Sequence, residues 1–289
     1  EKHFRPLFIK TGAKVLFCFK LIILEEFKMR KTVKWLVALV ACLGLVVTLT
    51  GCSSSGNKAA KTKTIKIATT GVSFPGSYKK NGKLTGFDVA VARAAAKELG
   101  YKVEFKTTSF DGLFGQLSSG KVDAIASNIT ITPERQKQYY LSNPYGYFKM
   151  GIAVSKKSTL TSVNQLSGKT IAATVGSNQI DQLKTFNKSI KTRTFDDREQ
   201  ALNAAANQQT DGYGNAKAIL ASDIHQKNLN LKILKGSFAE SNIAFTFAHT
   251  STGKKQQKQF NKAIKKLQKN GTLSKLSKKF FDGVDVSQK

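Results

Sequence analysis

Short apolar segments alternate with longer amphipathic segments along most of the chain. Apolar and polar positions alternate in "TIKIAT" (64–69), which predicts a β-strand. "GFDVAVARAAAKELG" (86–100) is rich in good helix formers and ends in glycine, which predicts a helix. The alternation of strand and helix continues to residue 155 and starts again at "GKTIAAT" (168–174). Repeated βαβ units predict an α/β fold with two mostly parallel sheets flanked by helices.

Two amphipathic helices are predicted near the C-terminus, within residues 258–281. Apolar residues repeat there at helical spacing, Asn270-Gly271 interrupts the repeat, and lysines occupy the opposite face. This pattern is typical of helices that pack on a core and gives no sign of a nucleic-acid-binding arm. The repeating positions are Phe260, Ile264 and Leu267, then Leu273, Leu276 and Phe280.

A secretory signal is predicted at residues 29–51. The basic "MRKTVK" precedes a 15-residue apolar run (35–49), a length typical of a signal peptide rather than of a membrane span. The run ends in "LTGC" at Cys52, which resembles the lipobox of bacterial lipoproteins. That resemblance implies that Cys52 is diacylated and anchors the protein stably to the membrane. The alternative is an ordinary signal peptide with a cysteine there by chance.

The residues on either side of this signal are predicted to lie outside the folded part. Residues 1–28 lack the pattern of a second signal, and we interpret them as a translated upstream segment. "SSSGNKAAKTK" follows Cys52 without an apolar period, so 52–63 is expected to be a flexible tether. About 225 residues remain, which is enough for two lobes.

The chain is strongly basic, with 47 Lys and Arg against 18 Asp and Glu. Residues 1–51 hold 9 of the basic and 3 of the acidic residues, which leaves +23 on the predicted mature part. Such an excess indicates an anionic neighbourhood. The lysines are dispersed and not interleaved with stacking aromatic residues, so nucleic acid is not the expected partner. Anionic lipid headgroups, cell-wall teichoic acids and acidic mucins fit an exported protein better.

The three cysteines are Cys18, Cys42 and Cys52. Cleavage before Cys52 removes two of them and lipidates the third. The mature protein would then contain no free thiol and no disulfide, which avoids oxidative mispairing after export.

An unusual cation lies in "ASNITITPERQKQYY" (126–140). Thr132-Pro133 predicts a helix start, with threonine as the N-cap and proline at the first helical position. Arg135 then falls in the first turn, where the helix dipole already provides positive charge. Either Arg135 points into solvent, or it acts together with the helix N-terminus on one anion such as a carboxylate.

Three stretches together resemble the polar amino acid-binding proteins of ABC importers. They are "GKLTGFDVAVARAAAKELGY", "FDGLFGQLSSGKVDAIASNITITPERQKQYYLSNPY" and "LSGKTIAATVGSNQ", and the resemblance covers about 64–283. It implies a periplasmic-binding-protein type II fold with a ligand cleft between two lobes. Lobe 1 is expected at 64–154 plus 245–289 and lobe 2 at 155–244, with the chain crossing between them near 154–158 and 241–245.

The resemblance also implies ligand-binding residues in lobe 1. The arginine at the position of Arg135 holds the α-carboxylate of the amino acid in this family. Thr130 and Asn128 match positions that contact the ligand. Phe110 and Phe74 match aromatic residues on either side of its aliphatic part, although the alignment around Phe74 needs a gap. The alternative for each phenylalanine is core packing.

In lobe 2, the resemblance points to the turn after the strand "TIAAT". Gly176 and Ser177 match a turn whose N–H groups reach the carboxylate, and Thr174 is a candidate for ligand specificity. One departure concerns the ammonium group. Family members usually place an acid where this chain has Asn215 and then Ala216. Another acid, a neutral acceptor such as Asn215, or an unusual ligand must then compensate, because an unpaired ammonium is costly in a closed cleft.

The function expected from the resemblance is capture of a polar amino acid by hinge closure and delivery to a permease. The receptor would be a monomer, lipid-anchored on the extracytoplasmic face of a Gram-positive membrane, and its partners would be the permease and ATPase subunits of an ABC importer. Cystine is the first candidate ligand, followed by glutamine or a basic amino acid. No cofactor or metal is expected.

Two alternatives come from other classes of protein. An adhesin would use the basic surface to bind mucus, collagen or another anionic matrix, alone or in addition to transport. A cyclic-dienyl dehydratase would share the scaffold but needs a carboxylate in the cleft as general acid or base. The matched positions offer no such acid. His225 and His249 are the only histidines of the mature part, so no His-based metal site or hydrolytic triad is expected.

Overall fold

The structure, a computed structural model, describes residues 63–289. The expectations for residues 1–28, for the signal peptide, for Cys52 and for the tether up to residue 62 lie outside the described residues. Residues Lys61–Lys289 form one compact unit. Among the described helices, none combines the length and the apolar character that crossing a membrane requires.

The unit is built on two mixed sheets and one small sheet. The first sheet has the strand order β5-β1-β6-β14-β7, and the second has β10-β9-β11-β8-β12 with β13 also paired to β8. We use lobe 1 for the first sheet with its packed helices and lobe 2 for the second. The strands are β1 Thr64–Thr69, β2 Val72–Ser73, β3 Ser77–Lys80, β4 Lys83–Thr85, β5 Lys102–Thr107, β6 Ala124–Ile125, β7 Tyr139–Leu141, β8 Gly146–Ser155, β9 Thr170–Thr174, β10 Lys191–Phe195, β11 Gly212–Ala216, β12 Leu231–Ile233, β13 Ala239–Ile243 and β14 Thr246–Ala248.

Eight α-helices and one 3₁₀ turn (Val163–Gln165) cover these sheets within the described residues. The predicted C-terminal pair is present as α7 and α8, separated at Asn270-Gly271 with Gly271 in the left-handed region. The predicted N-cap at Thr132 is confirmed, because its hydroxyl accepts a hydrogen bond from the Arg135 N–H at 3.2 Å. The helices are α1 Phe87–Glu98, α2 Gly112–Ser118, α3 Pro133–Gln138, α4 Gln179–Phe186, α5 Arg198–Ala206, α6 Lys217–Gln226, α7 Ser251–Lys269 and α8 Thr272–Phe280.

The sheets are less parallel than the sequence suggests. In lobe 1, β1 runs parallel to β5 and β6, but β14 is antiparallel to β6 and β7. In lobe 2, β9 runs parallel to β10 and β11, whereas β8 is antiparallel to all three of its neighbours. The βαβ pattern captures only the parallel half of each sheet. Most of the remaining strands lie next to the two points where the chain crosses between the lobes.

The first crossing was predicted too late. Strand β8 pairs only with strands of the second sheet, whereas the predicted boundary at residue 154 assigns nearly all of it to lobe 1. The chain therefore leaves lobe 1 between Leu141 and Gly146, not at 154–158. The return crossing lies between Ile243 and Thr246, where the apolar run "NIAFTFA" (242–248) contributes to two strands, β13 and β14. The sequence does not show the end of one strand and the start of the next, because the apolar run is buried on both sides of the crossing.

Both faces of the lobe 1 sheet are buried. Ile65 and Ile67 of β1 belong to the main apolar core, which also contains residues of α1, α7 and α8. A smaller cluster with Leu113 and Leu117 of α2 includes Ala68 from the same strand. The alanines of α1 let this helix lie close against its neighbours. Packing on both faces leaves the carboxyl ends of the parallel strands to carry the polar residues.

Candidate functional site

A cavity of about 300 Å³ lies between residues of the two lobes. Its walls come from loops at the carboxyl ends of parallel strands, together with side chains of β8 and β13. The lining residues of lobe 1 are Thr70, Val72, Ser73, Thr107, Thr108, Ser109, Phe110, Asn128 and Thr130. Those of lobe 2 are Phe148, Met150, Thr174, Ser177, Asn178, Gln179, Asp196, Asp197, Arg198, Ala216 and Ser241. We call these two sets the lobe 1 wall and the lobe 2 wall.

Five of the predicted ligand-binding residues line this cavity. Phe110, Asn128 and Thr130 belong to the lobe 1 wall, and Thr174 and Ser177 to the lobe 2 wall. Thr130 lines the cavity although it is only 8% exposed. Their shared location agrees with a ligand site, while the role of each residue stays a prediction.

Arg135 lies beside the cavity and does not line it. Its guanidinium donates to the Thr130 carbonyl at 3.0 Å and, across the cleft, to the Gly176 carbonyl at 3.4 Å. The same group lies 5.3 Å from the ring centre of Phe114. Burial lowers the pKa of Arg135 to about 10, so the group is cationic at neutral pH. Of the two explanations offered for this cation, exposure to solvent is wrong, because its fork points between the lobes.

The turn at Gly176 places the start of α4 against lobe 1. Gly176 has φ +72°, and a Cβ there would lie 3.5 Å from the Cβ of Asp111. The Ser177 hydroxyl donates to Gln179 at 3.4 Å. Gly176 itself is not a wall residue. Its contribution to the site is the carbonyl that Arg135 contacts.

Asn215 does not face the cavity. Its side chain is 0% exposed, and its Oδ1 accepts from Gln179 Nε2 at 3.2 Å and from the Ala216 N–H at 2.8 Å. Its Nδ2 donates to the Tyr213 hydroxyl at 2.6 Å. The prediction of Asn215 as a ligand acceptor therefore fails, because the amide is already used within lobe 2. The methyl group of Ala216 is what that strand end presents to the cavity.

Three charged residues that the sequence reasoning missed line the cavity. Asp196 and Asp197 occupy the connection between β10 and α5, and Arg198 is the first residue of α5. Asp197 caps α5, since its Oδ1 accepts from the Gln200 N–H at 2.9 Å. A helix cap needs only one acid. The second acid in "FDDRE" (195–199) was therefore the sequence signal that could have indicated an acidic side chain at the cavity. The matched positions still offer no acid, but these two carboxylates outside them line the cavity.

Arg198 crosses the cleft in the direction opposite to Arg135. Its Nη1 donates to the Phe74 carbonyl at 3.3 Å. The Phe74 ring packs edge-on against Tyr78, with ring centres 4.8 Å apart, and is not a wall residue. The prediction of Phe74 as a ligand-contacting aromatic is therefore not supported by its position. The loop contributes the neighbouring Val72 and Ser73 to the lobe 1 wall instead.

A buried acid lies directly behind the lobe 1 wall. Asp88 is 2% exposed and accepts a hydrogen bond of 2.7 Å from the Tyr145 hydroxyl. Burial raises the pKa of Asp88 to about 6, while Tyr145, the charge of Arg198 and the Asn128 N–H act against this rise. Burial and the same acid raise the pKa of the Tyr145 hydroxyl. The wall thus rests on a titratable pair.

No metal centre is found in the part of the chain that the structure describes, since no three His, Cys, Asp or Glu side chains cluster suitably. His225 lies 3.5 Å from Asp282, and the His249 ring packs on Tyr140 with centres 4.3 Å apart. Both histidines therefore have contacts away from the cavity.

Comparison with known proteins identifies the relatives of this chain. The family model described as bacterial extracellular solute-binding proteins, family 3, matches residues 65–283. The chain belongs to this family. The probable amino-acid-binding protein YxeM of Bacillus subtilis (strain 168) is 38% identical over 263 residues, which cover 90% of this chain and 99% of YxeM. The L-cystine-binding protein TcyJ of the same strain is 33% identical over 269 residues, covering 90% and 97%.

Solved structures agree with this family 3 assignment. An ancestral arginine-binding protein bound to glutamine has a TM-score of 0.69 and 32% identity, covering 75% of this chain and 97% of its own. The α/β fold of the periplasmic-binding-protein type II class is therefore confirmed, as is the resemblance to amino acid-binding proteins of ABC importers. Nearly all of that neighbour corresponds to the described part of this chain. The relatives named here are all described as binding proteins.

Proposed function

We propose that this protein is the extracytoplasmic receptor of an ABC importer for a polar amino acid. The observation that carries the proposal is the cavity between the lobes, with Arg135 bridging them beside it. The family 3 relatives named above support the class of ligand. Its partners would be the permease and ATPase subunits of the importer, and the receptor would act as a monomer.

The ligand α-carboxylate would bind to Arg135. This guanidinium already donates to the Gly176 carbonyl across the cleft, and a carboxylate is a stronger acceptor for the same fork. Thr130 and Ser177 line the adjacent cavity, and their hydroxyls would donate to the same group. A ligand held in this way touches both lobes and therefore stabilises the closed form.

The ligand ammonium would bind to the acids between β10 and α5. Ala216 cannot accept a hydrogen bond through its side chain, and the Asn215 oxygen is already bonded. Asp196 and Asp197 are the carboxylates that line the cavity. Of the three ways to compensate for the missing acid, this arrangement favours another acid.

The balance of charges favours cystine among the candidate ligands. Cystine carries two ammonium and two carboxylate groups. The cavity has Asp196 and Asp197 on its wall, with Arg198 on the wall and Arg135 beside it. Glutamine would leave one acid and one arginine without a ligand partner, and a basic amino acid would leave one arginine. The description of TcyJ as L-cystine-binding supports this order, and the glutamine bound to the ancestral neighbour makes glutamine next.

The protein would be held at the membrane by lipid on Cys52, after removal of a signal peptide at 29–51. The basis of the lipid anchor is the sequence pattern "LTGC". A Gram-positive source would follow from the resemblance to lipid-anchored receptors of such bacteria. The adhesin alternative receives no support from the relatives.

Catalysis is not proposed, even though two carboxylates line the cavity. A dehydratase needs a bound substrate that loses water, so turnover of a cyclohexadienyl carboxylate by purified protein would contradict the receptor role.

A ligand screen on residues 61–289 tests the proposal. Thermal unfolding is followed with an external dye, because the one tryptophan of the chain is Trp35. A ligand at about 100 times its Kd adds roughly 2.7 kcal/mol, which raises Tm by several degrees at this size. We expect one clear response, to cystine first.

The decisive variant is Arg135→Ala, which should weaken that ligand at least about 100-fold, because it removes the charge-assisted contacts to the carboxylate. Arg193→Ala is the matched control, since Arg193 is exposed on β10 and stacks on Phe195. No response to any amino acid at millimolar concentration would overturn the receptor proposal. Equal binding by the two variants would overturn the role of Arg135 alone.

A further inference from the structure

Helix α7 carries a continuous basic face. Each of its seven lysines is exposed, and the chain has no acidic residue between Glu240 and Asp282. The spacing of three to four residues places most of these side chains on neighbouring turns of one side. The lysines of this surface, which we call the α7 lysine face, are Lys254, Lys255, Lys258, Lys262, Lys265, Lys266 and Lys269.

Little in lobe 1 neutralises this face. Among the described residues, one lysine of this face forms an ion pair, namely Lys266 with Glu98. Lys254 lies over the Tyr140 ring, 5.9 Å from its centre. The apolar side of the helix is fully used, with Phe260, Ile264 and Leu267 in the core. Apart from Lys254 and Lys266, the lysines of this helix are not needed for packing or for the ion pairs found in the described residues.

The α7 lysine face is linked to the position where the chain enters lobe 1. The Tyr101 hydroxyl donates to Gln259 in the middle of α7 at 3.2 Å. The next residue, Lys102, donates through its N–H to the Lys63 carbonyl at 2.9 Å. Lys63 and Lys102 lie at the amino ends of parallel strands β1 and β5. Ligands bind at the opposite, carboxyl ends, so this edge of the lobe faces away from the cavity.

The length of chain before Lys63 limits the distance to the proposed lipid anchor. Eleven peptide units separate Cys52 from Lys63, which corresponds to at most about 40 Å when fully extended. A lobe held this close to a bilayer repeatedly meets its headgroups. A lysine contributes appreciable attraction only within about a Debye length of an anionic surface, about 8 to 10 Å in physiological salt.

We propose that the α7 lysine face rests on the anionic phospholipid headgroups of the membrane that anchors the protein. Between deliveries, the contact would hold lobe 1 against the bilayer with the cavity directed away from it, and docking on the permease would require lobe 1 to leave this contact. Complementary charge selects this occupant, and the short connection to Cys52 supplies it at high local concentration. This inference rests on the proposed lipid anchor, but not on which amino acid the cavity binds.

Sedimentation with lipid vesicles tests the proposal without the anchor. Residues 61–289 are mixed with phosphatidylcholine vesicles that contain either 30% or no phosphatidylglycerol, at about 50 and about 300 mM salt. The test variant is Lys258→Glu/Lys262→Glu/Lys265→Glu. The matched control is Lys79→Glu/Lys80→Glu/Lys83→Glu, which changes three exposed lysines of β3 and β4 and the same amount of charge.

We expect binding to the anionic vesicles that weakens at high salt. The α7 variant should lose at least about 100-fold in affinity, since three lysines near a surface act together, while the control should lose much less. The cystine response in thermal unfolding should be the same in both variants, which separates this proposal from the receptor proposal. Equal losses in the two variants would overturn the proposal in favour of net charge alone. Binding to soluble polyglycerol phosphate with none to the vesicles would overturn it in favour of a cell-wall polymer.

Discussion

The two walls of the cavity rest on different kinds of buried pair. Behind the lobe 1 wall, the Tyr145 hydroxyl donates to Asp88, an acid. Within lobe 2, the Asn215 amide donates to the hydroxyl of Tyr213. The geometry is similar, but one pair can carry charge and the other cannot. Lobe 2 has its acids on the β10–α5 connection instead, where they are closer to solvent.

The difference shows that a wall of the cavity can be supported by a neutral buried pair while its charged residues lie at another position of the same lobe. A neutral amide at Asn215 leaves the strand end rigid, because all of its polar atoms have partners. The charged residues then lie on a connection between elements, where substitution disturbs packing less. The following predictions test whether shape and charge are separate in this way.

The largest effect on folding is expected from Asn215→Leu. The change leaves Gln179 Nε2 and the Ala216 N–H without an acceptor in a buried place, which costs about 2–4 kcal/mol of unfolding free energy. Urea unfolding measures the loss, with Asn203→Leu, at an exposed position on α5, as the control. A loss below about 0.5 kcal/mol would mean that the amide does not support the lobe 2 wall.

The acid of lobe 1 predicts a pH dependence with a definite sign. Because the pKa of Asp88 is about 6 in the folded protein and near 3.9 unfolded, protonation favours the folded state. Its stabilising contribution is complete below pH 4 and is lost as the pH rises through 6. From pH 4 to 7, the unfolding free energy of the wild type should fall by about 2 kcal/mol relative to Asp88→Asn.

Urea unfolding of the wild type and Asp88→Asn between pH 4 and 7 measures this difference. Asn215→Asp tests the comparison from the other side, since it gives lobe 2 an acid next to Tyr213 and should produce a similar slope. Parallel pH profiles for the wild type and Asp88→Asn would show that the buried acid of lobe 1 does not titrate as proposed.

A smaller effect is expected on ligand affinity from Asp196→Asn. Loss of one partially solvated carboxylate near the ammonium should weaken the ligand about 10-fold, or about 1.4 kcal/mol. Calorimetric titration measures it, and Glu199→Gln on α5 is the control with the same change of charge. Adding Ala216→Asp to Asp196→Asn should restore affinity, because it returns an acid to the strand end that faces the same cavity. If Asp196→Asn does not weaken binding and Ala216→Asp does not strengthen it, the ligand ammonium binds elsewhere.

The sequence allowed the regular strands and helices of both lobes to be predicted, but not the short strands or the first crossing between the lobes. Strand β1 and the Thr132 cap were predicted correctly because local pattern determines them. Strands β2 to β4 were missed because each has two to four residues and buries too few side chains to produce a period. The crossing before β8 was misplaced because that strand is apolar along its length and would suit either sheet.

The site was predictable where a side chain acts alone and not where it depends on neighbours. Thr130 and Ser177 line the cavity as the resemblance implies. Asn215 was predicted as a ligand acceptor because the sequence does not show that its oxygen is already bonded. Its partner Gln179 lies 36 residues away, and no local pattern reveals that contact. Asp197 was overlooked because an acid before a helix is normally a cap, which it also is.

The two arginines that cross the cleft have acceptors of one kind. Arg135 and Arg198 each donate to a main-chain carbonyl of the opposite lobe, at Gly176 and Phe74. A main-chain carbonyl is present whatever the side chain, so a substitution at residue 74 keeps the acceptor of the Arg198 hydrogen bond. The side chains of the loops that face the ligand can therefore change during evolution while the two hydrogen bonds between the lobes are kept. Only loss of an arginine removes one of these hydrogen bonds.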